Sequence, residues 1–121
     1  MIALLLAMQT MAIDWAKLPP LSYRVPPQVA PAMNAYVARQ VTSPRCALPK
    51  ANKDSGALAL DIAVLVDADG QVRAAIPRAI QCPVIEQYAA GLVTSFARNN
   101  IAAGVTSHGW FRTSITFTWH Q

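Results

Sequence analysis

Between residues 57 and 66 every second side chain is large and apolar: Leu58, Leu60, Ile62, Val64 and Val66. A period of two places all five on one face of a β-strand. Asp67-Ala68-Asp69-Gly70 has the composition of a tight reversal, with glycine free to take positive φ. Val72, Ala74 and Ile76 then restart the same period, so the two runs predict a hairpin. A last run alternates again, with Phe111, Ile115, Phe117 and Trp119 on one side and Arg112, Ser114, Thr116 and Thr118 on the other.

The connection between the second and third runs reads as a helix over 83–99. Pro83 suits a first helical position and Glu86 suits the positive end of the helix dipole. Ile85, Tyr88/Ala89, Leu92/Val93 and Phe96 form one apolar stripe wide enough to cover a sheet. The order ββαβ therefore predicts an α+β fold: a small antiparallel three-stranded sheet in order 2-1-3, packed by one long helix. That helix is expected on the even-numbered face of the first two strands and on the Phe/Ile/Phe/Trp face of the third.

The amino-terminal half has a different composition. Residues 1–13 carry no charged side chain and include Ile2, Leu4, Leu5, Leu6, Met8 and Met11, the length of a signal-peptide apolar region. Thr10 and Ala12 suit the −3 and −1 positions of a cut, so 1–12 is expected to be a signal peptide. Asp14 and Lys17 end the run well short of the roughly 20 apolar residues a membrane span requires. Residues 13–49 hold Pro19, Pro20, Pro26, Pro27, Pro31, Pro44 and Pro49. Proline fixes φ and removes a donor, which predicts an extended strap over 18–27, followed by a short helix over about 28–41. Residues 50–56 read as a polar loop leading into the sheet, and 50–121 as the folded unit.

Cys46 and Cys82 are too far apart in sequence for a CxxC redox or zinc pattern. In an oxidising compartment they are expected to form a structural disulfide; in a reducing one they would be two unpaired buried thiols. Net charge is +4, from ten Lys and Arg against six Asp and Glu, but the cations are scattered singly. A nucleic-acid footprint needs clustered cations, so that partner class is set aside.

Few groups carry reactive chemistry. The Asp67-Ala68-Asp69-Gly70 turn resembles the start of a calcium loop, but the EF-hand pattern needs a Glu six residues after its Gly, where this chain has Ile76. His108 and His120 have no second pair of ligands nearby in sequence. Ser107, His108 and Asp61 lack the surroundings of a nucleophile elbow. No catalytic residue, metal or cofactor is expected.

The stretch 56–119, just over half of the chain, resembles the TonB C-terminal domain. The resemblance rests on Gly56, Val66-Asp67-Ala68-Asp69-Gly70-Gln71-Val72, Cys82-Pro83-Val84-Ile85-Glu86, Ala89-Ala90, Phe96, Gly104 and Ile115-Thr116-Phe117-Thr118-Trp119, in that order. Phe96 is followed by Ala97-Arg98-Asn99-Asn100 rather than by the family's Phe-x-Pro-Ala. The resemblance implies a periplasmic location and a grip on an extended segment of an envelope protein or outer-membrane transporter, with a possible link to TonB-type transport.

A three-stranded sheet leaves two edges with unpaired backbone groups. Pro77 and Arg78 are expected to blunt the second strand's edge. The 110–119 strand has no proline and is the expected place for a partner strand to add. Backbone groups of 113–118 are expected to supply affinity, and Trp110, Arg112 and Trp119 to select side chains. The candidate site is thus Trp110, Arg112, Thr113, Ser114, Ile115, Thr116, Thr118 and Trp119. Two alternatives stand beside it: the edge is covered by residues 18–45 of a self-capped structural protein, or it pairs in a homodimer.

Overall fold

A computed structural model describes residues 12–102 and 108–119. Residues 1–11 of the expected signal peptide, Gly104, Ser107 and His120 lie outside the described residues. After a 3₁₀ turn at Trp15–Lys17 the chain forms α1 (Pro31–Gln40), α2 (Lys50–Ser55), β1 (Ala57–Val66), β2 (Val72–Pro77), α3 (Pro83–Ala97) and β3 (Gly109–Thr118). The strands make one antiparallel sheet in order β2-β1-β3, the α+β arrangement that the alternation predicts.

β1 is central, and its apolar set is the floor of the core. Leu58, Leu60, Ile62, Val64 and Val66 are all buried, as are Phe111, Ile115 and Phe117 of β3 on the same face. α3 lies over this face and buries Ile85, Ala89, Val93 and Ala97, the i, i+4, i+8, i+12 line of its apolar stripe. α1 packs beside it through Val37, which is fully buried. Three rings tie these layers together: Tyr36 of α1 stacks on Tyr88 of α3 with centroids 4.3 Å apart, and Tyr88 meets Phe117 of β3 at 6.2 Å.

The β1–β2 hairpin is closed by Asp67 N–H donating to Gln71 O (2.9 Å) and Gly70 N–H donating to Asp67 O (3.0 Å). Gly70 takes φ +78°, the left-handed conformation for which glycine was expected. Asp67 Oδ1 accepts from the backbone N–H of Asp69 and Gln71, and Oδ2 accepts from Arg73 Nε. Above all the Gln71 N–H, and then Arg73, hold the Asp67 carboxyl below its ordinary value of 3.8. This carboxylate works as the clasp of the turn.

The second strand departs from the expected face. A register shift between Leu65 and Val66 pairs Val66 with Val72 but Leu65 with Ala74 and Val64 with Ala75. Such a bulge inserts one residue, here Arg73, and every later side chain changes face. Val72 and Ala75 consequently pack on the core, while Ala74 and Ile76 share the opposite face with Leu65 and Ala63. An even-numbered apolar face running the whole length of the second strand is therefore corrected to Val72 followed by Ala75.

Residues 50–56, expected as a loop, form helix α2 capped by Gly56 at φ 69°. Its sequence carries no apolar stripe, but Pro49 before it and a left-handed glycine after it are ordinary helix punctuation. Cys46 and Cys82 are joined by a disulfide, and both are buried. The bond fastens the loop after α1 to the N-terminal end of α3, where Ala47 N–H also donates to Gln81 O (2.7 Å). Among the described residues no helix is long and apolar enough to cross a membrane.

Candidate functional site: the outer edge of the third strand

Backbone bonds fix which groups each edge presents. Arg78 N–H donates to Asp61 O (2.9 Å), so by the alternation of an antiparallel ladder Ala74 and Ile76 also face β1, while Arg73, Ala75 and Pro77 face outward. The N–H that Pro77 lacks is thus missing from the free edge of β2, where it blunts pairing. On the other side Trp119 N–H donates to Gly56 O (2.8 Å), so odd-numbered residues of β3 face β1. Trp110, Arg112, Ser114, Thr116 and Thr118 turn their N–H and C=O groups outward.

Part of this outer edge is covered by the chain itself. Arg112 N–H donates to Pro19 O and Arg112 O accepts from Leu21 N–H, both at 2.8 Å, forming a parallel bridge centred on Pro20. The strap then leaves the edge. Ala102 N–H donates to Ser22 O, Tyr23 pairs with Ile101, and Arg24 N–H donates to Asn100 O. The Asn100 side chain holds the next residue, donating to Val25 O and accepting from Val25 N–H, both at 2.9 Å. At the far end of β3, Thr118 N–H donates to Asn34 Oδ1 of α1 (3.0 Å).

Between these two attachments the edge is open. The outward N–H and C=O groups of Ser114 and Thr116 have no partner among the described residues. From Arg112 to Thr118 the distance along the strand is about 20 Å, at roughly 3.4 Å per residue. Beside the opening lies a cavity of about 240 Å³ lined by Tyr23, Pro27 and Val29 of the strap, Val93 and Phe96 of α3, and Ser114, Ile115 and Thr116. A strand laid here would pair with two residues and send the side chain beside Ile115 toward the cavity.

The expected site residues divide among different tasks. Ser114 and Thr116 are exposed edge residues. Arg112 is half-buried, its backbone given to the strap and its Nη1 3.5 Å from Trp15 O. Thr113 faces the core side, with its hydroxyl 3.3 Å from that of Tyr23, and Ile115 is part of the core. Trp110 lies beside Leu65 on the face turned away from α3, so it and the cavity are on opposite sides of the sheet. Trp119 packs against the core and lines a separate hollow of about 450 Å³ with Pro31, Ala35 and Ala38.

Tyr23, Val29 and Asn34 fall within the segment 18–45 that the self-capping alternative places along this edge, but none is singled out there by residue. Proline content and helical spacing specify local backbone and not which residue reaches the sheet. Tyr23 is raised above its ordinary pKa of 10.0, chiefly by burial, against which the Thr113 hydroxyl acts in the lowering direction. On the opposite face, Ser114 Oγ donates to Asp61 Oδ1 (2.7 Å) and Arg78 Nη1 donates to Asp61 Oδ2 (3.2 Å). Asp61 of β1 thus links Ser114 of β3 to Arg78, the residue after β2, and His108 is exposed just before β3. Comparison with protein-family models, with curated proteins and with solved structures finds no match to this chain.

Proposed function

We propose that this chain is a non-catalytic exported domain, similar to the TonB C-terminal domain, that binds an extended segment of an envelope protein by strand addition at β3. The observation that carries this reading is the opening at Ser114 and Thr116, whose backbone groups are unpaired among the described residues and stand beside a cavity lined by both apolar and polar side chains. Strand addition draws affinity from such groups and specificity from a pocket for alternate side chains. The site is narrower than a bare 110–119 strand, because Arg112 and Thr118 are already engaged by residues 19–21 and 34. A buried disulfide supports an oxidising compartment, and the periplasm is the one that the family resemblance implies. The partner is a segment of an envelope protein or outer-membrane transporter, and a role in TonB-type transport is part of the proposal.

A second reading has its own observation. Residues 19–21 and Asn34 cover two positions of the edge, as a self-capped structural protein would arrange. The two readings separate in a pull-down from envelope extract with the oxidised chain and with Thr116→Pro. Thr116 N–H faces outward, so proline there removes one edge donor and leaves the β1–β3 ladder whole. A partner captured by the wild type and lost by a variant of unchanged circular dichroism supports strand addition and identifies the client. Equal capture moves the site elsewhere, and no capture by either supports self-capping.

A further inference from the structure

The strap shows what kind of segment this edge accepts. Where it crosses Arg112, Leu21 is only 8% exposed and joins the core, and Tyr23, two residues on, is half-buried with its hydroxyl against Thr113. Alternate residues of an extended segment therefore face inward, an aliphatic one followed by an aromatic one. Pro19 and Pro20 are exposed; the bridge turns residues 19 and 21 toward β3 and Pro20 away from it, so Pro19 has no N–H to offer that strand and the strap attaches to β3 through one donor and one acceptor. Away from β3 the strap is held by the bonds of Ser22, Arg24 and Val25 to Ala102 and Asn100, and by its tether, since a short linker gives an effective concentration in the millimolar range.

We propose that residues 18–24 are an internal stand-in for the partner. A segment of the same chemistry, extended, proline-flanked and with an aliphatic residue two positions before an aromatic, binds by displacing the strap and continuing along Ser114 and Thr116. This rests on the strand-addition reading above. Displacement adds the N–H and C=O of Arg112 to those of Ser114 and Thr116, so an incoming strand meets three outward residues instead of two. The strap departs after Leu21 toward Ile101 and Asn100, whereas a free segment has no such tie and can follow the edge.

The test uses the full oxidised chain and two substitutions outside β3. Leu21→Pro keeps an apolar side chain but removes the N–H that meets Arg112 O. Leu21→Ala keeps the N–H and removes most of the side chain from the core. Amide hydrogen exchange read by NMR reports strap release without any ligand, and a capped synthetic peptide copying residues 18–24 is the binding probe. Loss of one hydrogen bond corresponds to about a twofold to tenfold change in equilibrium. Arg112 exchange is expected to accelerate by about that factor in Leu21→Pro and by at least as much in Leu21→Ala, which removes buried side chain, with the amide of Ile62 in β1 unchanged. The peptide is expected to bind the variants more tightly than wild type by a similar factor, shifting Ser114 and Thr116 resonances, while a scrambled peptide does not. Arg112 exchange unchanged in both folded variants overturns the proposal. So does a released strap with no gain in peptide affinity. Strand addition as such fails separately, when Thr116→Pro retains a partner captured by the wild type.

Discussion

Reducing the Cys46–Cys82 bond is expected to remove a large share of this domain's stability. The two cysteines are 36 residues apart, and the loop they close contains α2 and the whole β1–β2 hairpin. The chain-entropy relation gives about 13 cal/mol/K for a loop of that size, or about 4 kcal/mol at 25 °C. Total stabilities of 5–15 kcal/mol are usual, so the bond accounts for roughly a quarter to three quarters of it. In a domain of this size about 4 kcal/mol corresponds to a fall in Tm on the order of 15 °C. The assay is urea unfolding followed by circular dichroism, comparing the oxidised chain, the same chain in a phosphine reductant, and a Cys46→Ala/Cys82→Ala double variant. The denatured state expands once the cross-link is gone, so the m-value should rise as the midpoint falls. The double variant also loses two buried sulfur atoms and should be the least stable of the three. A difference below about 1 kcal/mol between oxidised and reduced chains would refute the reasoning. It would mean that Ala47, Gln81 and the core around them hold the same geometry without the covalent bond.

Glu86 Oε2 accepts from both Ile80 N–H and Cys82 N–H at 3.1 Å, so Glu86→Ala leaves two donors unmet at the start of α3. We expect a loss of about 2 kcal/mol in urea unfolding, and a smaller loss for Glu86→Gln, which keeps an acceptor. Tyr23 gives a pH test. Its folded pKa is raised, so its contribution is complete below about pH 10 and is lost as pH rises through the folded value. Tm measured from pH 8 upward should fall in the alkaline range more steeply for wild type than for Tyr23→Phe, and identical profiles would remove Tyr23 as the cause.

The sheet was legible because its physics is local. Ten residues of β1 with a strict period of two leave one choice of face, and Phe111, Ile115 and Phe117 repeat the choice in β3. A proline at the first position and a stripe at 3.6-residue spacing likewise placed α3 at Pro83–Ala97, within two residues of the expected end. What escaped was nonlocal or polar. The bulge at Arg73 is set by the pairing of β2 with β1, and nothing in Val72-Arg73-Ala74-Ala75-Ile76 announces the inserted residue. α2 has no apolar stripe to signal it; it is held between Pro49 and Gly56. Cover of the edge by residues 18–45 was readable only as an alternative: that residues 19–21 in particular would reach Arg112, 91 to 93 positions away, depends on which hydrogen-bonding groups the sheet leaves over.

On the strand-addition proposal, the composition of the strap becomes a consequence of two opposing demands on that edge. A bare strand of Thr, Ser and aromatic residues with a row of free N–H and C=O groups is a template for any chain that meets it, including another copy. Covering it with an ordinary strand would satisfy four or five outward residues and close the site permanently. Pro19, which has no N–H to give the edge, ends the cover on one side, and the pairing of Ser22 and Tyr23 with Ala102 and Ile101 turns the chain aside before Ser114 on the other. Asn34 caps the other end through a side chain, which engages only Thr118 N–H. The result is an edge guarded at Arg112 and Thr118 and open for two residues between them. Replacing Pro19, whose nitrogen faces the edge, with a residue that can donate should strengthen the cover and slow exchange at Arg112. In the stand-in reading it should weaken binding of the residue 18–24 peptide as well; tighter peptide binding to such a variant would contradict the role assigned to Pro19.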